Sequence, residues 1–309
     1  MNRTFLPSDG PSGPAKLSIV SLEPAAAEAP KAVVLIVHGM AEYKDRYLPF
    51  MQYLSEMGYA CIAYDHRGHG ATMETKEDRG DFGKNGVEAL TEDLLHVIRY
   101  ARECYPQCKL FLLGHSMGSL IIRNLMKTHD EAMDGVILSG SPSKSPFNGL
   151  GILITRILQL FKGARHRSRT MAILIFGRQE KRYYKKEGIR NAWLCSNRAV
   201  VEAFNNDRLC GFKFTLRGYR TLLQLFARVY SDKGWNVTNP DLPIHFVSGG
   251  SDMAMRSLKA FSRSIGYLRA AGYRQVSSKV YPGMRHAVLN ELKKEEVWMD
   301  VHQMFNSWL

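Results

Sequence analysis

The chain has 309 residues, of which 45 % are apolar, 10 % aromatic and 23 % charged. That balance excludes extensive disorder and fits one large globular domain or two small ones. Forty-two Lys and Arg against 29 Asp and Glu give a net charge of +13. The excess is local: residues 162–190 hold ten Lys or Arg and two Glu, a net +8. Such a patch points to an anionic surface or substrate rather than to nucleic acid. Apolar runs such as 33–37 and 171–176 fall far short of the roughly 18 residues a membrane-crossing helix needs. The first ten residues hold no apolar signal region, so a cytoplasmic location is the expectation. Five cysteines are an odd number and make no disulfide framework. Cys104 and Cys108 lack a second pair to complete a zinc site, and neither a metal nor a cofactor is expected. Cys61 and Cys108 lie in apolar runs and read as small buried hydrophobes.

In chain order, a Pro/Gly/Ser-rich start leads to a strand over 16–22 and an alanine-rich turn over 24–30. The continuous apolar run 32–37 predicts a strand with helices on both faces. Tyr47, Phe50, Met51 and Leu54 follow at helical spacing. A strand over 59–64 stops at Asp65-His66-Arg67-Gly68-His69-Gly70. Val87, Leu90, Leu94, Val97, Ile98 and Ala101 mark a helix face. A strand over 109–113, a helix over 116–127 and a strand over 136–139 come next. This alternation predicts a mostly parallel sheet flanked by helices.

From 143 to 236 the alternation gives way to helices. Leu150, Leu153, Ile154, Ile157, Leu158 and Phe161 form one apolar stripe, and Tyr219, Leu222, Leu223, Phe226, Val229 and Tyr230 another. Residues 171–176 are too short to assign as strand or helix. The α/β pattern returns with a strand over 244–248, a helix over 255–271, a strand over 275–280 and a helix over 291–308. The chain therefore divides into an α/β core, residues 1–142 and 237–309, interrupted by a helical insertion, residues 143–236.

Gly114-His115-Ser116-Met117-Gly118 has the G-x-S-x-G form. It lies between a predicted strand and a predicted helix, the setting of a nucleophile elbow. A serine hydroxyl needs a base, and the order nucleophile, acid, histidine places both partners later in the chain. His286 follows a strand through a loop at the sheet's carboxyl edge. His302 reads as a helix-surface residue and His245 as structural; His38, His66 and His69 precede the serine. Asp252 follows Phe246-Val247-Ser248-Gly249-Gly250-Ser251 at a strand's carboxyl end, where it can orient the imidazole. Its competing role is a cap for the helix near Met255. Asp241 lies at the wrong edge, and Asp232 is the reserve acid. The N–H groups of Met117 and Met40 are the candidate oxyanion donors, Met40 from the loop after the strand at 32–37.

These segments resemble those of the α/β-hydrolase fold and, within it, the monoglyceride lipase and lysophospholipase group, whose serine aminopeptidase-like hydrolases share the scaffold. The likeness rests on His38-Gly39-Met40-Ala41-Glu42 with Arg46-Tyr47, Asp65 to Gly70, the serine elbow, Tyr281-Pro282-Gly283-Met284-Arg285-His286, and Asn206 to Phe212 in the insertion. It implies Ser116, Asp252 and His286 as the triad and Met40 and Met117 as oxyanion donors. The chain departs from the group at Met253-Ala254-Met255, where Pro or Val often follows the acid, and at Ala71-Thr72, where Ser is often found.

The expected substrate is a small acyl ester, a monoacylglycerol or a lysophospholipid, cleaved through an acyl-enzyme. An aminopeptidase or acyltransferase of the same fold, and a non-catalytic lipid-binding protein, are the alternatives. The basic, apolar insertion disfavours the peptidase, which would want acidic groups for a free amine. The insertion is expected to cap Ser116 and to make weak contact with anionic membrane.

Overall fold

The computed structural model describes residues 1–9, 13–26 and 29–309. Part of the predicted alanine-rich turn, Ala27 and Glu28, lies outside the described residues. An eight-stranded sheet with the order β1-β2-β4-β3-β5-β6-β7-β8 runs through the molecule. Its strands are β1 (Asn2–Ser8), β2 (Ala15–Leu22), β3 (Val33–Val37), β4 (Ala60–Tyr64), β5 (Leu110–His115), β6 (Gly135–Ser139), β7 (Ile244–Gly249) and β8 (Val276–Tyr281). Strands β3 to β8 pair in parallel, while β1 and β2 form an antiparallel hairpin whose second strand joins β4.

The period-2 rule sorts the strand residues onto two faces. Val33, Leu35 and Val37 face one core with Leu110 and Leu112, while Val34 and Ile36 face the other with Phe111 and Leu113. Helices α2 (Gly86–Cys104) and α3 (Met117–Leu125) cover the first face; α1 (Leu48–Glu56) covers the second. Both faces being buried is why β3 to β6 read as unbroken apolar runs.

Helices α4 (Asn148–Lys162), α5 (Arg169–Glu187), α6 (Arg198–Asn206) and α7 (Leu216–Val229) lie between β6 and β7. Among the described residues this segment holds no strand of the sheet, only a single bridge between Arg167 and Thr215. The stretch 171–176 is part of α5. Helix α7 roots the segment: its Leu216, Tyr219, Leu222, Leu225 and Val229 join the core beneath α2 and α3. Helix α4 rests on α7, with Asn148 Nδ2 donating to the Leu223 carbonyl (2.8 Å). Its stripe divides. Ile154 and Leu158 pack inward, but Leu150, Leu153, Ile157 and Phe161 stay exposed. Helices α8 (Leu258–Ala271) and α9 (Lys294–Asn306) complete the two layers.

Several expectations need correction. Strand β1 was not foreseen, because an exposed edge strand holding Pro7 carries no continuous apolar signal. Helix α8 starts at Leu258, because the Ser257 side chain accepts the N–H of Ala260 and caps it there. Cys108 is half-buried rather than buried, with its thiol on the Pro30 carbonyl. His302 is no free surface residue; its ring meets Tyr53 and Tyr59 edge-on. No helix of the described residues is long and apolar enough to cross a membrane.

Candidate active site

Ser116 sits between β5 and α3 with φ 50° and ψ −113°, a strained conformation that lifts its hydroxyl clear of the turn. The flanking glycines permit this. A Cβ on Gly118 would stand 2.0 Å from the Val37 carbonyl oxygen, and one on Gly114 would stand 2.9 Å from Gly118 backbone. The Ser116 N–H donates to Ser139 of β6 (2.9 Å), which fixes the turn to the sheet.

Two loops at the same carboxyl edge bring the partners. His286 Nε2 lies 2.9 Å from Ser116 Oγ, and its Nδ1 lies 2.9 Å from Asp252 Oδ2. Asp252 is held by the Ala254 N–H on Oδ1 (2.8 Å). Because Ser257 caps α8, Asp252 is left to the imidazole. Burial alone would push the His286 pKa down, but the Asp252 carboxylate overrides it and holds the ring above its ordinary value. A base in this state hydrogen-bonds the serine through Nε2 and keeps its proton on Nδ1. Neighbouring His115 has no hydrogen-bonded carboxylate among the described residues; burial, then His286, push it down to about 4 against the pull of Glu42 and Asp252.

The loop after β3 faces the elbow. Among the described residues no protein acceptor takes the N–H of Met40 or of Met117, so both are available to an oxyanion. Ala41 takes φ 52°, and its N–H donates to His69 Nε2 (3.1 Å). His69 Nδ1 lies 3.0 Å from the Arg67 carbonyl, which fixes the proton on Nδ1 and leaves Nε2 as the acceptor.

A profile of the family described as Serine aminopeptidase, S33 (Hydrolase_4) matches residues 28–293. The chain belongs to this family. It is an α/β-hydrolase and a hydrolase enzyme. It is 25 % identical over 287 residues to monoglyceride lipase of Rattus norvegicus, covering 91 % of this chain and 82 % of the relative. It is 27 % identical over 279 residues to phospholipase YtpA of Bacillus subtilis, covering 88 % and 94 %. A thermostable carboxyl esterase from Bacillus coagulans, solved with glycerol, superposes with a TM-score of 0.88 at 25 % identity over 99 % of both chains.

In this member of the family the acid Glu42 is a residue whose role sequence reasoning missed. It is buried, and its carboxylate accepts from the Gly39 N–H (2.7 Å), Tyr47 Oη (2.8 Å) and Arg46 Nε (3.1 Å). Burial would raise its pKa, but these partners and nearby His115 hold it below the ordinary carboxylate range. Glu42 therefore braces the loop that presents Met40. An acid closely following His38-Gly39, with Arg46-Tyr47 in reach, was the available signal.

The loop carrying His286 is bolted to the insertion. Ala287 N–H donates to the Leu194 carbonyl (2.7 Å), and Glu291 accepts from both the Ser196 and the Arg285 N–H (3.0 and 2.7 Å). The Arg285 guanidinium meets Glu187 of α5 and the carbonyls of Ala192 and Cys195. The ring of Trp193 lies 5.3 Å from that of His286.

Ser116, His286 and Asp252 open onto a cavity of about 1440 Å³ between the sheet edge and the insertion. Its walls include Leu150, Ile154, Phe176, Trp193, Leu222 and Phe226. The four non-glycine residues with left-handed φ among the described residues, Ala41, Ser116, Asn191 and Arg256, all line it. Backbone strain in the molecule is thus gathered at one place. The other weighed acids lie elsewhere: Asp241 pairs with Arg274, and neither it nor Asp232 lines the cavity. Among the described residues no cluster of His, Cys, Asp or Glu could hold a metal ion.

Proposed function

We propose that the protein is a serine carboxylester hydrolase acting on monoacylglycerols or lysophospholipids. The observation that carries this reading is the hydrogen-bonded line Ser116–His286–Asp252 at the floor of an apolar-walled cavity. Ser116 Oγ attacks the ester carbonyl carbon while His286 Nε2 takes its proton. The negative charge that develops on the carbonyl oxygen is received by the N–H groups of Met40 and Met117. His286 returns the proton to the departing alcohol. Water, deprotonated by the same imidazole, then releases the fatty acid. The cavity exceeds the roughly 300–1,000 Å³ of common small-molecule sites, which suits an acyl chain.

Residues 143–236 act as a cap in this reading, walling the cavity with Leu150, Ile154 and Phe176. The outer face of the cap carries Leu160 and Phe161, exposed by 83 % and 82 %, beside Leu153 and Ile157 of α4. A lipid surface is the occupant that fits both this apolar face and the cations around it. Part of the charge run is already engaged: Arg165 pairs with Asp78, and Arg167 binds the carbonyls of Lys76, Glu77, Arg79 and Lys213. The rest, including Lys162, Lys181, Lys185 and Lys186, faces solvent. Weak, salt-sensitive binding to anionic vesicles is expected, with little binding to neutral ones.

An aminopeptidase needs a free acid to hold the substrate's amine. The acids lining the cavity are Glu42, Glu180 and Asp252; Glu42 is paired with Arg46 and Asp252 with His286, and Glu180 accepts the Asn191 N–H. Turnover of monoacylglycerol and lysophospholipid, beside a panel of aminoacyl amides, tests the assignment. Hydrolysis of the amides alone would overturn it.

A further inference from the structure

Asp252 and His286 stand on different loops, one after β7 and one after β8. Close to the sheet the two loops are joined by backbone: Gly250 N–H donates to the Tyr281 carbonyl and Ser251 N–H to the Met284 carbonyl, both at 2.8 Å. Beyond those bonds, among the described residues, only the Asp252–His286 hydrogen bond itself crosses between them. Its length is therefore set by what holds each loop from outside. Helix α5 of the insertion holds both. Tyr183 Oη donates to the carbonyl of Ser251, the residue before Asp252 (2.8 Å). One helical turn on, at the i+4 position of the same face, Glu187 takes the guanidinium of Arg285, the residue before His286.

The grip on Arg285 is a specific one. Its Nη1 donates to Glu187 Oε2 (3.0 Å) and its Nη2 to Glu187 Oε1, the paired fork that arginine makes and lysine does not. Nη1 also reaches the Ala192 and Cys195 carbonyls, and the Tyr183 ring lies 4.6 Å from the guanidinium carbon. The two grips thus meet on one arginine, whose side chain is 9 % exposed. Glu187 is one of only two acids among the ten Lys and Arg of residues 162–190. It ends α5, where the helix dipole disfavours a negative charge. The helix gives no reason for an acid there; Arg285 does.

We infer that Arg285 and Tyr183 are positioning residues of the triad: through them α5 holds the base loop and the acid loop at the separation that the Asp252–His286 hydrogen bond needs. The inference rests on the ester-hydrolase reading and deepens it. Neither residue lines the catalytic cavity, so both act through the loops and not on the substrate. The charge that keeps His286 basic is that of Asp252, with Glu42 of the oxyanion loop acting in the same sense and His115 of β5 packed beside the ring. Loosening either grip lengthens the bond to Asp252, which misplaces the imidazole and leaves it less basic.

The test is the pH dependence of p-nitrophenyl butyrate hydrolysis by the full chain and its variants. Arg285→Gln should lower kcat about 10- to 100-fold, leave KM within about twofold, and move the acid limb of the profile to lower pH. Arg285→Lys keeps the charge without the fork and should fall between wild type and Arg285→Gln. Tyr183→Phe removes only the hydroxyl and should lower kcat several-fold, with the limb moved the same way. Glu187 is partly open to water, so Glu187→Gln reads the same pair and decides the matter should Arg285→Gln not fold; it too should lower kcat and move the limb. A kcat unchanged in these variants, a loss confined to KM, or a loss of kcat with the limb at its wild-type position would overturn the inference. Wild type active on the ester with variants unaffected contradicts the inference alone; wild type inert toward it contradicts the hydrolase reading and the inference together.

Discussion

The elbow and oxyanion loop on one side of the cavity, and the insertion on the other, treat their polar and apolar groups in opposite ways. Around Ser116 the side chains are buried and their hydrogen bonds assigned: Asp252 to His286, Glu42 to Gly39, His69 to Ala41. Along α4 and the start of α5, large apolar side chains are exposed beside arginines that have no ion pair among the described residues. A hydrogen-bonded network fixes distances to tenths of an ångström, which proton transfer requires. An apolar surface with scattered cations fixes no such geometry. The two sides are joined where the His286 loop meets Leu194, Ser196 and Glu187, so a displacement of the insertion would pull on the base.

Substitutions on the network side should have the largest effects. His286→Ala should cost about as much as losing the serine, because members of such a unit act together. Asp252→Asn should lower kcat about 10⁴-fold by leaving the imidazole in the wrong tautomer. Steady-state kinetics on p-nitrophenyl butyrate measures both; full activity in Asp252→Asn would show that Asp252 is not the acid that orients His286. Glu42→Gln removes the charge that braces Gly39 and pairs with Arg46. Since one oxyanion donor is worth roughly 10²–10³ in kcat, a partly displaced Met40 should cost about 10- to 100-fold, mainly in kcat. An unchanged kcat would show that the loop holds itself.

The pH profile sharpens the same side. His286 must be neutral to act as base, and its folded pKa is held above the usual 6.5 by Asp252. Activity should therefore rise with pH along a limb whose apparent pKa lies above 6.5. In Asp252→Asn that limb should move to lower pH. Stability should follow the other buried histidines, whose pKa values are shifted down rather than up. Burial pushes His66 down to about 3 and His69, His115 and His245 to about 4. Their folded pKa values lie below the unfolded value near 6.5, so the unfolded chain binds more protons in between. The stability they permit is whole above pH about 6.5 and is lost as pH falls toward about 4. Thermal denaturation between pH 7 and 5 should show a falling Tm, and a Tm indifferent to pH would contradict their burial.

On the insertion side, changes should be smaller and confined to lipid surfaces. Leu160→Ser with Phe161→Ser should weaken co-sedimentation with anionic vesicles several-fold and leave turnover of monomeric esters near wild type. Raising salt should weaken binding of the unaltered protein as well. Binding that ignored both changes would remove the membrane from the account.

The network side was the more legible in sequence, for a physical reason. A strained turn needs glycines at fixed spacing, so residues 114–118 announce themselves, and the order of strands then points to Asp252 and His286. The cap on α8 also followed from local chemistry, but Ser257 rather than Asp252 supplies it. Glu42 was visible as a residue and not as a brace, since its role depends on where Gly39 and Tyr47 turn in space. The stripe on α4 was visible as a pattern, yet periodicity cannot tell a face that is covered from one that is not. Strand β1 was hidden by exposure, as edge strands without an apolar face are.

The central claim is that Ser116 is the nucleophile. Reaction with a fluorophosphonate, read by intact mass and peptide mapping, tests it most directly. The account predicts a single adduct on the peptide containing Ser116, loss of ester turnover in step with labelling, and neither adduct nor turnover in a folded Ser116→Ala variant. A folded Ser116→Ala protein that still hydrolyses esters near the wild-type rate, or a stoichiometric adduct on another residue, would contradict it.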